Sequence, residues 1–301
     1  MEKETMNPMQ CDPVTGTCEI VTNDNEVTTG IKKPIRLLYF TDPICSSCWG
    51  IEPQLRKLKH EYGHLFDVEY RMGGLLKSWE TYGGSDVSGP QSVARHWQEA
   101  GAHYQMPIDG EVWNEDPLHS SYPTAIAFKA AQMQDEKKAA AFLRRIKEMV
   151  FMEKKNITRR EHLVQAANET GLDTTQFEHD LENGAKQLFE EDLAMAKEWN
   201  VRGFPTIFFI DEDDNRFRVY GSRPYTAYED ALLKLYPKPQ KNRPSSLYDI
   251  FESYSTVTLK EFALFYDQSF ASAEATLRDM ERQEKVKRIE TSAGDIWQVI
   301  R

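Results

Sequence analysis

Uninterrupted apolar sequence is scarce in this chain of 301 residues. No segment approaches the roughly 20 consecutive apolar residues that a membrane-spanning helix needs. Met1 to Gln10 is polar and mixed in charge, without the apolar stretch of a secretory signal. Basic residues are in deficit too: 37 Lys and Arg stand against 48 Asp and Glu, a net charge of −11. Nucleic acid and anionic membranes both require clustered Lys and Arg, so this balance argues against either as the main partner. Cysteine is rare, with four in the chain, too few for a disulfide framework at this size. These absences predict a cytoplasmic protein whose cysteines are free, catalytic or metal-bound.

What the chain does contain is a 40% apolar and 11% aromatic composition, enough for one large domain or two of moderate size. Its most informative stretch is Phe40-Thr41-Asp42-Pro43-Ile44-Cys45-Ser46-Ser47-Cys48-Trp49. Ile35 to Thr41 is a short apolar run suited to a strand, and Gly50 to Tyr62 has helix periodicity. A CxxC at a strand-to-helix junction reads as a thioredoxin-like redox motif. There Cys45 would sit at first-turn N–H groups that stabilise a thiolate, attack a substrate disulfide and leave Cys48 to resolve it. The Ser-Ser between the cysteines brings neither the His nor the Lys that would strengthen that thiolate. Asp42 is either a proton acceptor for a buried thiol or the start of a Thr-Asp-Pro turn, and the turn role is favoured.

The remaining elements follow from periodicity. Val68 to Met72 reads as a second strand, parallel to the first across the helix. Residues 73–121, rich in Gly, Pro and Trp, predict loops with short helices. Tyr122 to Gln134, Glu136 to Lys154, Arg159 to Thr170 and Glu190 to Trp199 carry apolar residues at helical spacing, with Thr158 and Glu161 as a capping box and Gly171 as a C-cap. Thr206 to Ile210 and Phe217 to Tyr220 predict a hairpin across an acidic turn, before a helix from Thr226 to Tyr236. The order βαβ, helical insert, ββα predicts an α/β thioredoxin-like fold over residues 34–236, with the insertion at about 75–200. A proline here, Pro205 in Val201-Arg202-Gly203-Phe204-Pro205-Thr206, stands where that fold places a cis-proline facing its CxxC. Phe204 and Pro205 are therefore candidates for binding an extended peptide by strand addition.

Residues 1–33 lack any apolar period and predict a mobile arm. In it Cys11 and Cys18 flank Asp-Pro and Thr-Gly. They read as half of a zinc site, a redox-sensitive disulfide or two ordinary thiols; the gap is wider than structural zinc sites favour. The string His60-Glu61-Tyr62-Gly63-His64 spells a zinc-protease motif, but Gly63 is expected to end the helix and turn His64 away. Residues 237–246 have linker composition. After them, 247–301 predict three short helices and a terminal hairpin, a small α+β winged-helix-like domain. From Arg243 to Arg301 there are 8 Lys and Arg against 10 Asp and Glu, which opposes DNA binding and favours contact with protein.

The CxxC segment, the Gly203-Phe204-Pro205-Thr206 loop and the central helices resemble DsbA-like proteins of the FrnE type. With the acidic C-terminal module and the Cys-bearing arm, nearly the whole chain resembles the SpxH (YjbH) adaptor family of Firmicutes. The resemblance implies a DsbA-type fold and, as function, binding of the transcription factor Spx and promotion of its degradation by the ClpXP protease, with ClpX and ClpXP as partners; a non-catalytic adaptor is favoured, with no cofactor unless the arm binds zinc. Cys45, Cys48 and Pro205 match the redox-type motif positions. Some relatives carry a His-rich arm thought to bind metal, whereas no His precedes His60 in this chain. The alternative reading is a cytosolic DsbA-like thiol–disulfide oxidoreductase or isomerase using Cys45 and Cys48.

Overall fold

The computed structural model describes residues 9–11, 18–20, 33–82 and 89–300. In the N-terminal unit, strands β1 (Met9–Cys11) and β2 (Cys18–Ile20) pair antiparallel, with Cys11 opposite Cys18 in the register.

The second unit begins at Lys33. Its centre is strand β3 (Ile35–Thr41), in which Leu37 and Tyr39 face one core and Leu38 and Phe40 another. A strand covered on both faces has no reason to alternate apolar with polar residues, hence its nearly continuous apolar run. The helix expected from Gly50 to Tyr62 is two helices, α1 (Ser46–Gly50) and α2 (Glu52–Tyr62), with Ile51 between them and Pro53 in the first turn of the second. Proline lacks the N–H of a continuing helix and suits a new first turn. Strand β4 (Phe66–Met72) then pairs parallel with β3.

Residues 73–121 hold more helix than their composition suggests. Helix α3 (Pro90–Tyr104) runs fifteen residues and buries Ala94, Trp97 and Ala100, and the short α4 (Val112–Glu115) follows. The three buried positions are spaced by three, a helical stripe that the surrounding Gly and Pro conceal. Helices α5 (Tyr122–Gln134), α6 (Glu136–Met152), α7 (Arg160–Glu169), α8 (Thr174–Glu182) and α9 (Ala185–Glu198) complete the insertion. Gly171 takes the left-handed conformation after α7, as expected of a C-cap. The Thr158 capping box does not form: α7 starts from Arg159, and the Thr158 hydroxyl instead donates to Asn156 Oδ1 at 2.6 Å. Asn156 also accepts the Thr158 N–H, closing a tighter local turn.

The chain returns through β5 (Thr206–Ile210), antiparallel to β3, and β6 (Arg216–Tyr220), antiparallel to β5, then helix α10 (Tyr225–Leu235). The sheet order is β4-β3-β5-β6. Leu58, Tyr228 and Leu232 of α2 and α10 cover one face, and Ala196 and Trp199 at the end of α9 the other. This is the expected βαβ, helical insert, ββα order.

The C-terminal elements are α11 (Asp249–Ser253), β7 (Thr256–Thr258), α12 (Leu259–Phe265), α13 (Phe270–Arg282), β8 (Val286–Thr291) and β9 (Gly294–Val299). The terminal hairpin is joined by β7 into a three-stranded sheet, β7-β9-β8. Thr258 and Glu261 form a reciprocal capping box on α12. The segment 237–246 has no regular structure, but it is held: Asn242 N–H donates to the Glu61 carbonyl at 2.9 Å, and Lys241 pairs with Glu61 and Glu229. Among the described residues no helix is long and apolar enough to cross a membrane.

Candidate functional site

The parallel β3–β4 pair ends at Thr41 and Met72, and the chain turns there through Asp42 and Pro43 into Cys45. Cys45 is the N-cap of α1: its Sγ accepts the Cys48 N–H at 3.1 Å. The Phe204–Pro205 bond is cis. Because Thr206 lies opposite Phe40, Pro205 falls beside Thr41, at the same end of the sheet as the cysteine turn. The Phe204 ring is turned inward against Gly73, and its backbone N–H and C=O make no hydrogen bond among the described residues.

Both cysteines are free thiols, with Cys45 only 5% exposed and Cys48 fully buried. A roof of helix covers them. Ser47 Oγ and Tyr104 Oη are 2.9 Å apart, and the Trp49 indole N–H donates to the Pro107 carbonyl at 2.9 Å. Trp49 stacks on Phe151 and carries the Arg144 guanidinium 4.3 Å from its ring centre.

The electrostatics reverse the expected polarity of the pair. Burial, with the neighbouring Cys48, pushes the Cys45 thiol well above its ordinary value. One helix-terminal N–H does not offset the loss of water around a thiolate. At Cys48 burial also pushes up, but the hydrogen bond with Cys45 and the charge of Lys147 outweigh it and the thiol is lowered. Cys45 is thus the member whose thiol is raised, where its position at a helix start had predicted a lowered one.

Two groups that the sequence did not single out, Lys147 and Glu52, organise this site together with Asp42. Lys147, on the apolar face of α6, is fully buried and donates to Glu52 Oε1 at 2.7 Å. Glu52 is raised by burial, yet Lys147, Arg144 and Arg56 hold it below its ordinary range. Asp42 is also fully buried. Its Oδ1 accepts the Ile44 N–H at 3.1 Å, and its Oδ2 accepts the Leu75 N–H and the Ser121 hydroxyl, both at 2.8 Å. Burial lifts its carboxyl to about 6 against these donors. Asp42 therefore keeps the expected turn role and also ties the cysteine turn to the helical insertion. A lysine between Ile146 and Met149 was the one local clue to this arrangement.

Among the described residues no group of three or more His, Cys, Asp and Glu is arranged to hold a metal ion. The zinc reading of Cys11 and Cys18 turns on side chains outside the described residues. Helix α2 stops at Tyr62, His60 packs against the Phe265 ring, and His64 meets Asn242, so the H-E-x-x-H string forms no zinc-protease site.

Residues 38–230 match a family model described as Thioredoxin. The fold is shared with the cytosolic disulfide reductase DsbM of Pseudomonas aeruginosa (23% identity, TM-score 0.54, 66% of this chain and 99% of that one). It is shared too with a 2-hydroxychromene-2-carboxylate isomerase (20% identity, TM-score 0.50, 66% and 95%). Among curated proteins, ClpXP adapter protein SpxH of Halalkalibacterium halodurans is 32% identical over 98% of both chains. That of Bacillus subtilis is 33% identical over 88% of this chain and 89% of its own. With a thioredoxin-like, DsbA-type domain and relatives matching 88–98% of its length, the chain belongs to the SpxH family of ClpXP adapter proteins.

Proposed function

We propose that the protein is a cytoplasmic adaptor that binds the transcription factor Spx and promotes its degradation by ClpXP, as part of disulfide-stress control. One observation carries this reading. The thioredoxin match ends at residue 230, whereas the match to an SpxH adapter runs over 98% of both chains and takes in the C-terminal elements. The site geometry points the same way. A cysteine that is 5% exposed and held as a thiol is a poor nucleophile towards a protein disulfide. In this reading the DsbA-like domain holds Spx and leaves its degradation tail free for ClpX, a population shift towards the form the unfoldase accepts. The C-terminal unit serves as a winged-helix-like module for protein contact.

The CxxC and the cis Phe204–Pro205 bond favour a second reading, a thiol–disulfide oxidoreductase or isomerase using Cys45 and Cys48. The deciding experiment is the rate of Spx degradation by purified ClpXP without the protein, with it, and with its Cys45→Ala/Cys48→Ala variant. Equal acceleration by both forms is the expected result. Acceleration by the wild type alone would tie delivery to the thiols, and acceleration by neither would overturn the adaptor reading.

A further inference from the structure

Among the described residues strand β6 is an outer edge of the sheet, bonded only to β5. The Gly221 N–H donates to the Pro205 carbonyl and the Asp211 N–H to the Asn215 carbonyl. These two bonds fix the parity of the ladder. Phe217 and Val219 bond inward to β5, and Arg216, Arg218 and Tyr220 turn their backbone N–H and C=O groups outward. The Tyr220 carbonyl is taken by Arg223 Nε at 3.1 Å; the other outward groups have no partner among the described residues. An open run of this kind is a template for another strand.

The side chains along this edge are unusual for so acidic a chain. Arg216, Phe217, Arg218 and Tyr220 are exposed, Phe217 by 37% and Tyr220 by 49%. Arg216 is neutralised by Asp214 at 2.5 Å and lies over the Trp199 ring. Arg218, and the exposed Arg202 and Arg223 near the cis-proline, make no ion pair among the described residues. Arg218 and Tyr220 share one face of the sheet with Arg216, two residues apart. Tyr220 reaches Gly203 of the cis-proline loop.

We propose that the outer edge of β6 is a docking edge for an extended acidic segment of a partner protein, which adds a fifth strand to the sheet. Residues directly opposite on paired strands lie about 4.5–5.5 Å apart, so an acidic residue at every second position would meet Arg216 and Arg218. A second copy of β6 is a poor guest, because its arginines would face arginines. Acidic residues at the far end, in the 211–215 turn, confine the free positive charge to the Arg218, Arg202 and Arg223 end. The inference rests on the adaptor reading only in taking the guest to be a partner protein.

The test uses the full chain and a fluorescein-labelled peptide, Val-Glu-Val-Glu-Val-Glu-Val, followed by fluorescence anisotropy. Saturable binding is expected, with Kd weakened by roughly tenfold or more in Arg218→Glu and in Arg202→Glu/Arg223→Glu. The same peptide N-methylated at every amide keeps its charge but has no N–H to donate to the edge, and it should bind no better than a Lys-for-Glu peptide. No binding of the acidic peptide would make the arginines edge protection alone and overturn the proposal. Undiminished binding of the methylated peptide, or indifference to both charge reversals, would overturn it equally. Neither Spx nor ClpXP is in the assay, so this inference and the adaptor reading can fail separately.

Discussion

Arg144 of α6 grips Glu261 of α12 with two prongs, Nη1 to Oε1 at 2.7 Å and Nη2 to Oε2 at 3.2 Å. Glu261 is 1% exposed, and Arg56 Nε stands 3.2 Å from the same carboxylate. Arg56 also donates to the Thr256 carbonyl at 2.7 Å, and Lys57 to the Leu264 carbonyl at 3.1 Å. The C-terminal elements are therefore fastened to α2 and α6 by buried charge rather than tethered by a free linker.

Removing one member of such a network strands the others. Glu261→Ala leaves the Arg56 guanidinium without a carboxylate, reduces Arg144 to Glu148 alone and removes the α12 capping box, and a loss of about 3–5 kcal/mol is expected. Glu261→Gln keeps hydrogen-bonding atoms in place and should cost less. Urea unfolding measures both, and proteolysis within 237–246 should accelerate in the alanine variant first. Equal stability of alanine variant and wild type would mean that the network contributes nothing to docking.

Asp42 gives a pH signature with an unusual sign. Its folded-state pKa is raised, from 3.8 to about 6, so the folded state holds the proton more tightly than the unfolded chain. Its contribution is full below about 4 and is lost as pH rises through about 6. A shift of about two units is worth about 3 kcal/mol. The stability difference between wild type and Asp42→Asn should therefore move by about that amount against the wild type from pH 4 to pH 7. A difference that stays flat across this window would show that Asp42 is not buried as a strained carboxylate.

Gly50 ends α1 directly under Tyr104. A Cβ there would lie 2.4 Å from Tyr104 Cγ. Gly50→Ala must push the ring off its seat and break its contact with Ser47, at a cost of about 1–3 kcal/mol. Combining it with Tyr104→Ala should cost less than the two single losses added together. Strict additivity, read from thermal or urea unfolding, would mean that the ring moves away freely.

The middle of the sheet was legible because its two central strands are local and decisively apolar: Ile35–Thr41 and Thr206–Ile210 are buried on both faces and carry almost no polar residues. Pro205 was legible for the same local reason. Helix α3 was not, since Gly89 and Pro90 open it and its stripe of Ala and Trp is sparse. Strand β7 has three residues, too few to show a period. The site's electrostatics were hidden more deeply. Lys147 and Glu52 are 95 residues apart, and Asp42 meets Ser121 across 79. Helix periodicity marks an apolar face, but no local pattern says which distant carboxylate waits for a lysine set within it.

That lysine provides the sharpest test of the thiol pair. Lys147→Met removes the positive charge that lowers Cys48 and leaves the partly buried Glu52 without its closest partner. The Cys48 thiol should titrate higher, followed by thiolate absorbance in a Cys11→Ala/Cys18→Ala/Cys45→Ala background so that a single thiol reports. Stability should fall by about 3–5 kcal/mol, as for any half-broken buried pair. Adding Glu52→Gln should restore much of the stability but not the thiolate, because the carboxylate is neutralised while the missing charge stays missing. If the double variant recovered both, the Cys48 shift would come from the packing of α6 rather than from the charge of Lys147.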